Sequence, residues 1–210
     1  MTKLILVRHC QAQGNLERFF QGKIDSDITP KGREQIAKTA EMLAAEPIDV
    51  FYTSDKKRAR KSTDGINLYH NVPVVTDNRL TEIDAGLWEG RYLTDIEKEF
   101  PEQWDNWKNH PDVFHAPEGE SMAQVYDRVS AALTDILSEN KGKTVCIVSH
   151  GCAMKCMMCF LHGYKVDDIA KIPLGTNMSV NVVRYDDDMK PEFLMEGYSG
   201  HLDQYSEDRK

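Results

Sequence analysis

The stretch that decides the fold is Lys3-Leu4-Ile5-Leu6-Val7, which runs directly into Arg8-His9. Its apolar side chains are continuous rather than alternating, as expected of a strand that is buried on both faces of a parallel sheet. The run is too short for the apolar core of a signal peptide, and far shorter than the roughly 18 residues that span a membrane. We therefore interpret it as the first strand of a sheet.

Short apolar runs and helical patterns alternate along the rest of the chain, which is typical of an α/β fold. Thr29-Pro30 and the pair Ser121 and Gln124 are typical helix starts. Pro73 favours the start of a strand or an edge strand. The alternation predicts a mostly parallel sheet with helices on both faces. Further strands are expected over residues 49–53, 72–75, 144–148, 178–185 and 192–198, and helices over residues 30–44, 56–69, 122–137 and 151–161.

The length of 210 residues suggests one domain of ordinary size with a small insertion. The alternation loosens between residues 83 and 119, where prolines interrupt an aromatic stretch. We expect a single domain over residues 1–200, in which this cap segment (residues 83–119) forms a small helical cap over one end of the sheet. Thr94 and Glu97 have the spacing of a capping box on a short helix. Residues 201–210 are polar and are expected to form a frayed tail.

Composition excludes several classes of protein. Hydrophobic residues make up 40% of the chain and charged residues 29%, a balance typical of globular rather than disordered proteins. The 34 acidic and 26 basic side chains give a formal net charge of −8, which argues against nucleic acid as a partner. Five cysteines, an odd number, do not indicate a disulfide framework. We therefore expect a cytoplasmic protein that does not act on nucleic acid or at a membrane.

Three predicted strands are followed by groups that suit an anion. Arg8-His9 follow the first strand, Arg58 lies in the helical turn after the second, and His150 follows the strand over residues 144–148. Because ligands of open α/β sheets bind beyond the carboxyl ends of the strands, these groups are expected to meet at one edge. Two imidazoles, two guanidinium groups and nearby helix N-termini favour a phosphate pocket.

Several short motifs accompany these residues, in order from residue 4 to about residue 183. They are Leu6-Val7-Arg8-His9, Asn15, Phe20-Gln21-Gly22, Thr53-Ser54-Asp55 with Arg58-Ala59, Leu80-Thr81-Glu82-Ile83, Pro117-Glu118-Gly119-Glu120-Ser121 and Val148-Ser149-His150-Gly151. As a set they resemble the histidine phosphatase superfamily, also called phosphoglycerate-mutase-like. The chain departs from that pattern at Cys10, where the family usually has glycine after the nucleophilic histidine.

The resemblance implies phosphoryl transfer through a phosphohistidine. His9 would attack the phosphoryl group, and Arg8, Arg58 and His150 would neutralise charge on the transferring oxygens. Glu82 would protonate the leaving oxygen and then help to activate water. The reaction would need no metal and no other cofactor. The residues expected to contact substrate are Asn15, Gln21, Gly22 and Gly151.

The same pocket supports hydrolysis and phosphoryl isomerisation, and the cap segment favours hydrolysis. A mutase must hold a second anionic group, yet residues 83–120 carry three cations, Arg91, Lys98 and Lys108, against ten acidic residues. We therefore predict a phosphatase that acts on a small phosphorylated metabolite, with a cofactor-dependent phosphoglycerate mutase as the alternative. A non-catalytic phosphate-binding module is disfavoured because every expected catalytic position is occupied.

Cys152, Cys156 and Cys159 have the C-x3-C-x2-C spacing of enzymes that bind an iron–sulfur cluster for radical chemistry. On a helix, however, these positions form one stripe, and cysteine is a common core residue. We favour packing as their role.

Cys10 raises the question of whether it could replace His9 as the nucleophile. Cysteine phosphatases use the spacing C-x5-R, which would require arginine where Leu16 stands. Cys10 is therefore predicted to be dispensable for chemistry, with its sulfur facing either the pocket or the core.

Overall fold

The computed structural model describes residues 1–186 and 188–202. Its strands are β1 (Thr2–Arg8), β2 (Val50–Thr53), β3 (Val74–Thr76), β4 (Thr144–Ser149), β5 (Val180–Tyr185) and β6 (Pro191–Tyr198). Its α-helices are α1 (Gln13–Glu17), α2 (Pro30–Leu43), α3 (Lys57–Asn67), α4 (Leu93–Glu99), α5 (Pro101–Asn109), α6 (Met122–Glu139) and α7 (Gly151–Leu161). No helix among the described residues has the length and apolar character that crossing a membrane requires.

The six strands form a sheet in the order β3-β2-β4-β1-β5-β6. Strands β3, β2, β4 and β1 are parallel to one another, whereas β5 runs antiparallel to β1 and β6 runs antiparallel to β5. The predicted mostly parallel sheet is therefore confirmed. Pro73 immediately precedes β3, which lies at the edge of the sheet, where a proline is tolerated.

Alternate side chains of β1 enter two hydrophobic clusters on opposite faces of the sheet. Leu4 and Leu6 pack with residues of α6 and α7, whereas Ile5 and Val7 pack with residues of α2 and α3. All four side chains are fully buried. A continuous apolar run is needed because both faces of the strand are covered. The prediction of helices on both faces is thereby confirmed.

Parallel pairing brings the ends of three strands to one edge of the sheet. Arg8 at the end of β1 pairs with Ser149 at the end of β4, and Thr53 at the end of β2 pairs with Val148. The residues that follow these strands therefore leave the sheet side by side. This is the edge at which open α/β sheets bind their ligands.

The cap segment, which contains α4 and α5, packs around the fully buried Trp88. The rings of Phe20, Trp104, Trp107 and Phe114 lie between 5.2 and 6.4 Å from it, measured between centroids. Such tilted and edge-on contacts stabilise by about 0.5–1.5 kcal/mol per pair beyond the burial of area. The aromatic residues of the segment thus fix it as an ordered wall above the sheet edge.

The predicted capping box at Thr94 is wrong. Helix α4 begins at Leu93, with Tyr92 at its N-cap, and Thr94 lies exposed inside the first turn. The amide of Leu93 donates to the carbonyl of Arg18, so a distant segment satisfies the start of the helix. The predicted capping box at the start of α6 is present, with the Ser121 hydroxyl accepting from the amide of Gln124.

The chain beyond β6 returns to the core. Leu202 is buried in the cluster beside α2 and α3, and the His201 ring lies 2.8 Å from the hydroxyl of Thr39. The first two residues of the expected frayed tail are therefore packed. The rest of that tail, residues 203–210, lies outside the described residues.

Candidate active site

His9 follows β1 and is held through both its backbone and its ring. Its amide donates to the carbonyl of Ser149 at 2.8 Å, and its carbonyl accepts from Nδ2 of Asn177 at 2.9 Å. Its Nδ1 lies 2.6 Å from the carbonyl oxygen of Cys10. Because a carbonyl can only accept, Nδ1 carries the proton and Nε2 keeps its lone pair. Nε2 is thus the nitrogen that can act as a nucleophile.

Burial and positive charge keep the imidazoles of His9 and His150 neutral. Burial holds the pKa of His9 well below the usual value of 6.5, and the charges of Arg58 and Arg8 lower it further. The pKa of His150 is also well below 6.5, again because of burial first and Arg58 second. The two ring centroids lie 5.1 Å apart. The site therefore holds two adjacent neutral imidazoles at neutral pH.

Arg58, in the first turn of α3, is fully buried beside these rings. Its Nη1 donates to the carbonyl of Ile24 at 2.8 Å, and its Nη2 donates to those of Gln21 and Gly22 at 3.1 and 3.0 Å. Its Nε donates to Nδ1 of His150 at 3.2 Å. One guanidinium group therefore fixes both the loop over residues 21–24 and the second histidine.

His150 caps α7 and has a partner on each ring nitrogen. Since Nδ1 accepts from Arg58, the proton of the neutral ring lies on Nε2, which donates to the Ser54 hydroxyl at 2.7 Å. Ser54 is fully buried. The sequence placed Ser54 in a family motif, but its part in orienting the imidazole is visible only in three dimensions.

Arg8, the last residue of β1, presents its guanidinium to the same region. Its Nη1 donates to the carbonyl of Gly175, whereas its Nε is buried and has no hydrogen-bond partner among the described residues. Burial lowers the pKa of Arg8, and the nearby charge of Glu82 opposes that shift. A buried N–H without an acceptor is costly. An anion that enters the site would supply the missing acceptor.

Glu82 lies at the N-terminus of α7. Its carboxylate accepts from the amides of Cys152 and Ala153 at distances of 3.0–3.2 Å. Nη2 of Arg128 donates to the backbone carbonyl of Glu82 at 3.0 Å and pairs with the carboxylate of Glu120. Arg128 therefore holds the loop that carries the candidate acid. It was missed in the sequence because an arginine on the partly exposed side of a helix gives no distinctive signal.

Asn15 and Gln21 each use the side-chain oxygen to bind the protein. Oδ1 of Asn15 accepts from the amide of Ala12 at 3.0 Å, and Oε1 of Gln21 accepts from the Ser26 hydroxyl at 2.6 Å. The amide nitrogens are the groups left to donate. Nε2 of Gln21 is buried without a partner among the described residues.

Gly22 and Gly151 have different surroundings. The amide of Gly22 donates to Glu89, and a Cβ at position 22 would lie 2.1 Å from the carbonyl oxygen of Ile83. Gly22 is thus a site of tight packing, and the structure does not bring it to the cleft that His9 lines. Gly151 lines that cleft, and its amide is one of those that a helix start leaves without an internal partner. A Cβ there would lie 3.4 Å from the Arg8 guanidinium.

A cleft of about 390 Å³ opens over His9. Of the expected site residues, the structure brings Arg8, His9, Asn15, Gln21, Glu82 and Gly151 to its wall, while Arg58 and His150 are buried against His9. The remaining wall is mostly apolar, with two lysines. It consists of Phe19, Phe20, Leu93, Trp107, Lys108, Pro111, Met122, Cys152, Lys155 and Leu174.

Comparison of the sequence with known protein families agrees with the motifs and with this geometry, and the match spans most of the chain. Residues 4–194 match the histidine phosphatase superfamily (branch 1). The chain belongs to this superfamily. The resemblance inferred from the motifs is confirmed.

Relatives of this histidine phosphatase include named phosphatases and a named mutase. Phosphoserine phosphatase 1 of Hydrogenobacter thermophilus is 35% identical over 163 residues, which cover 78% of this chain and 77% of the relative. Probable phosphoglycerate mutase GpmB of Citrobacter koseri is 32% identical over 97% of this chain and 96% of the relative. The phosphatase relatives support phosphohydrolase activity, and the mutase names fit less well.

Solved structures share the fold of this histidine phosphatase. YhfR from Bacillus stearothermophilus superposes with a TM-score of 0.90 at 30% identity, over 96% of this chain and all of its own. Phosphoserine phosphatase from Entamoeba histolytica, solved with 3-phosphoglyceric acid, superposes with a TM-score of 0.80 at 24% identity, over 96% of this chain and all of its own.

The three cysteines of α7 in this histidine phosphatase do not all contact the same part of the structure. The Sγ atoms of Cys152 and Cys156 lie 3.3 and 3.6 Å from Sδ of Met122, whereas Sγ of Cys159 faces the carbonyl of Lys165. All three residues are buried. Their spacing serves the packing of α7 against α6 and the following loop.

The Cys10 side chain faces the core and not the cleft. It is fully buried in the cluster beside α2 and α3, and its amide donates to the Ser62 hydroxyl at 3.0 Å. Burial raises the pKa of its thiol to about 11. A buried, protonated thiol is a poor nucleophile.

Proposed function

We propose that this histidine phosphatase hydrolyses small phosphomonoesters through a phosphohistidine formed on Nε2 of His9. The 2.6 Å contact between Nδ1 and the Cys10 carbonyl supports this role most directly, because it places the ring proton on Nδ1. The lowered pKa of His9 keeps Nε2 unprotonated near neutral pH. Attack on phosphorus requires a neutral and oriented imidazole of this kind.

The phosphoryl group would be held by donors that converge beside His9. Arg8 offers its buried Nε–H, and Gln21 and Asn15 offer their side-chain amide nitrogens. The amide of Gly151 stands at the N-terminus of α7, where the helix dipole favours an anion. Together these groups would stabilise the charge that spreads over the transferring oxygens in the transition state.

Arg58 and His150 would act from behind His9. Arg58 binds three carbonyls of residues 21–24, so it holds the loop that carries Gln21. Its charge is close enough to lower the pKa of His9. The same charge would stabilise the phosphoryl group once that group is bound to Nε2. His150 is the neutral partner whose orientation Arg58 sets.

Glu82 would supply and recover one proton. In the first step the bond from Nε2 of His9 to phosphorus forms, the ester P–O bond breaks, and the leaving oxygen takes the proton of the Glu82 carboxyl group. In the second step the Glu82 carboxylate takes a proton from water as that oxygen attacks phosphorus and the N–P bond breaks. The products are an alcohol and phosphate, and both side chains return to their starting states.

The cations of the cap segment favour hydrolysis over isomerisation. Arg91 is paired with Glu99, and Lys98 is exposed on α4, away from the cleft. Lys108 is the one of the three that lines the cleft. The phosphoserine phosphatase relative supports the same choice, whereas the relative named as a probable phosphoglycerate mutase keeps isomerisation as the second candidate.

A panel of small phosphoesters, with release of free phosphate as the readout, tests this function. We expect acid-labile phosphate to be trapped on the wild-type protein and on a His110→Ala control, whose ring is exposed, but not on His9→Ala. Activity should survive a chelator. Isomerisation of 3-phosphoglycerate that far outpaces phosphate release would establish the mutase instead.

A further inference from the structure

The proposed role of His9 as nucleophile depends on the direction of one backbone carbonyl. Nδ1 of His9 carries the ring proton because the Cys10 carbonyl oxygen, 2.6 Å away, can only accept. That carbonyl belongs to the peptide group between Cys10 and Gln11, and the N–H of a trans peptide points the opposite way from its C=O. If this peptide group turned over, Nδ1 would face the N–H of Gln11 and would have to accept. The ring proton would then lie on Nε2, and His9 could not attack phosphorus.

Gln35 holds the N–H end of that peptide group. The side-chain oxygen of Gln35, which projects from α2, accepts from the Gln11 amide at 2.9 Å. The Gln35 side chain is buried. With the contact to Nδ1 of His9 at the other end, the peptide group is bound through both its N–H and its C=O. A turned peptide would place the Cys10 carbonyl oxygen where the Gln35 oxygen now finds an N–H, so that two acceptors would face each other.

The preceding peptide group, between His9 and Cys10, is also bound at both ends. Its carbonyl accepts from Nδ2 of Asn177 at 2.9 Å, and its N–H donates to the Ser62 hydroxyl at 3.0 Å. Ser62 projects from α3 and is fully buried. Because the peptide groups on both sides of Cys10 are held in this way, the direction of the Cys10 carbonyl is fixed.

The hydroxyl of Ser62 can only accept from this loop. It has one proton, which it donates to the carbonyl of Arg58 at 2.7 Å. A lone pair of the oxygen is therefore what faces the N–H of Cys10. Thr63, the next residue of α3, is equally buried and donates its hydroxyl to the carbonyl of Ala59 at 3.0 Å. Among the described residues, the Thr63 hydroxyl makes no hydrogen bond to the loop after β1.

The loop after β1 lies directly against α2. A Cβ at Gly32 would lie 2.3 Å from the carbonyl oxygen of Gln11 and 3.2 Å from Sγ of Cys10. Gly32 therefore allows α2 to approach the loop closely. Gln35 lies three residues further along the same helix, so it shares this face and reaches the Gln11 amide.

We propose that Gln35 and Ser62 are positioning residues for the nucleophile, which hold the Cys10 carbonyl towards Nδ1 of His9 and so keep the reactive lone pair on Nε2. Neither side chain lines the cleft over His9, so both would act through the backbone. This inference rests on the proposed role of His9. If the two side chains only satisfied buried amides, their loss would lower stability without moving the ring proton.

The position of the ring proton can be measured without any substrate. In ¹⁵N NMR spectra of histidine-labelled protein, protonated and unprotonated ring nitrogens have different chemical shifts, and His9→Ala assigns the signals of His9. We expect a protonated Nδ1 in the wild-type protein, and the tautomer with the proton on Nε2 to appear in Gln35→Met and in Ser62→Ala. Each variant removes one acceptor with little change of shape. Because the two residues lie on different helices, each variant tests the carbonyl independently.

Kinetics then connect the tautomer with catalysis. In both variants we expect phosphohistidine formation, followed by rapid quenching, to slow by about 10- to 100-fold, the range for a misoriented reacting group. The inhibition constant of inorganic phosphate should stay close to the wild-type value, because the groups that bind phosphate are unchanged. Thr63→Val is the matched control for Ser62→Ala. It removes a buried hydroxyl from the same helix, so it should lower thermal stability while the tautomer and the rate stay as in the wild-type protein.

A lower thermal stability of Gln35→Met and Ser62→Ala, with tautomer and rate unchanged, would overturn the proposal and leave both side chains with a packing role. Slowing by Thr63→Val as large as that by Ser62→Ala would also contradict it. Absence of His9-dependent phosphate release from the wild-type protein would contradict the proposed function instead, since the tautomer reports on the positioning separately.

Discussion

Nε of Arg58 donates to Nδ1 of His150 at 3.2 Å, and this contact decides where the proton of the histidine lies. A guanidinium N–H can only donate, so Nδ1 must accept and the proton must sit on Nε2. Nε2 then donates to Ser54 at 2.7 Å. Burial first, and the charge of Arg58 second, hold the pKa of His150 well below its usual value, so the ring stays neutral.

Arg58→Lys tests whether the planar group, rather than the charge, is required. An ammonium group cannot serve three carbonyls and an imidazole at once, so the loop over residues 21–24 and His150 should both lose their fixed positions. We expect kcat/KM for phosphate release to fall on the order of 100-fold, measured alongside thermal unfolding. Activity close to wild type in Arg58→Lys would show that the charge alone suffices.

The free energy of unfolding should decrease as the pH falls below about 6.5. In the unfolded chain, His9 and His150 take up protons as the pH falls below this value. In the folded protein both pKa values are lowered, so the two imidazoles stay neutral to lower pH. Each imidazole therefore destabilises the fold by up to about 1.4 kcal/mol per pH unit below 6.5, until its folded pKa is reached. Urea unfolding between pH 7.5 and 5 measures the slope.

Matched variants separate this effect from other titrations. His150→Gln should reduce the slope by the contribution of one imidazole, and His110→Gln is the matched substitution at an exposed position. An identical slope in His150→Gln and the wild-type protein would show that the buried ring takes up a proton in the folded state.

The sequence was enough to predict which residues meet at one edge of the sheet, because this placement follows from local patterns. Continuous apolar runs identified β1 and β4 as buried strands, and parallel pairing then forces Arg8-His9 and His150 to the same edge. The role of Arg128 could not be predicted in this way. It depends on how α6 packs against the loop that ends at Glu82, a contact between residues 46 positions apart.

The start of α4 was predicted wrongly for a similar physical reason. Helix α4 starts at Leu93 because the carbonyl of Arg18 receives its amide, a contact that overrides the local capping signal of Thr94. A tertiary hydrogen bond here outweighs a short motif. Gly22 stays a predicted substrate-binding residue, and its amide donates to Glu89, which is distant in sequence.

Cys10→Ala should keep most of the turnover. The thiol packs against the core, and its pKa of about 11 leaves it protonated at neutral pH. We expect kcat to stay within about twofold of wild type and the free energy of unfolding to drop by about 1 kcal/mol because buried volume is lost. The folded protein should also resist alkylation at this residue. Loss of activity in Cys10→Ala with His9→Ala still active would reassign the nucleophile.

Glu82→Gln separates the two roles of this side chain. The glutamine oxygen can still accept from the amides of Cys152 and Ala153, so the start of α7 should remain satisfied and thermal stability should change little. The proton of the carboxyl group is lost, so kcat for alkyl phosphates should fall by about 10²–10⁴-fold. Glu82→Ala removes both roles and should also lower stability by about 1 kcal/mol.

The choice of leaving group distinguishes proton transfer by Glu82 from a purely structural role. p-Nitrophenolate leaves without needing a proton, so the first step should survive in Glu82→Gln while hydrolysis of the phosphohistidine slows. We expect a burst of about one equivalent of p-nitrophenolate per site, followed by slow turnover. Equal slowing of alkyl and aryl esters, without a burst, would show that Glu82 only positions α7. The proton would then have to come from another group in the cleft.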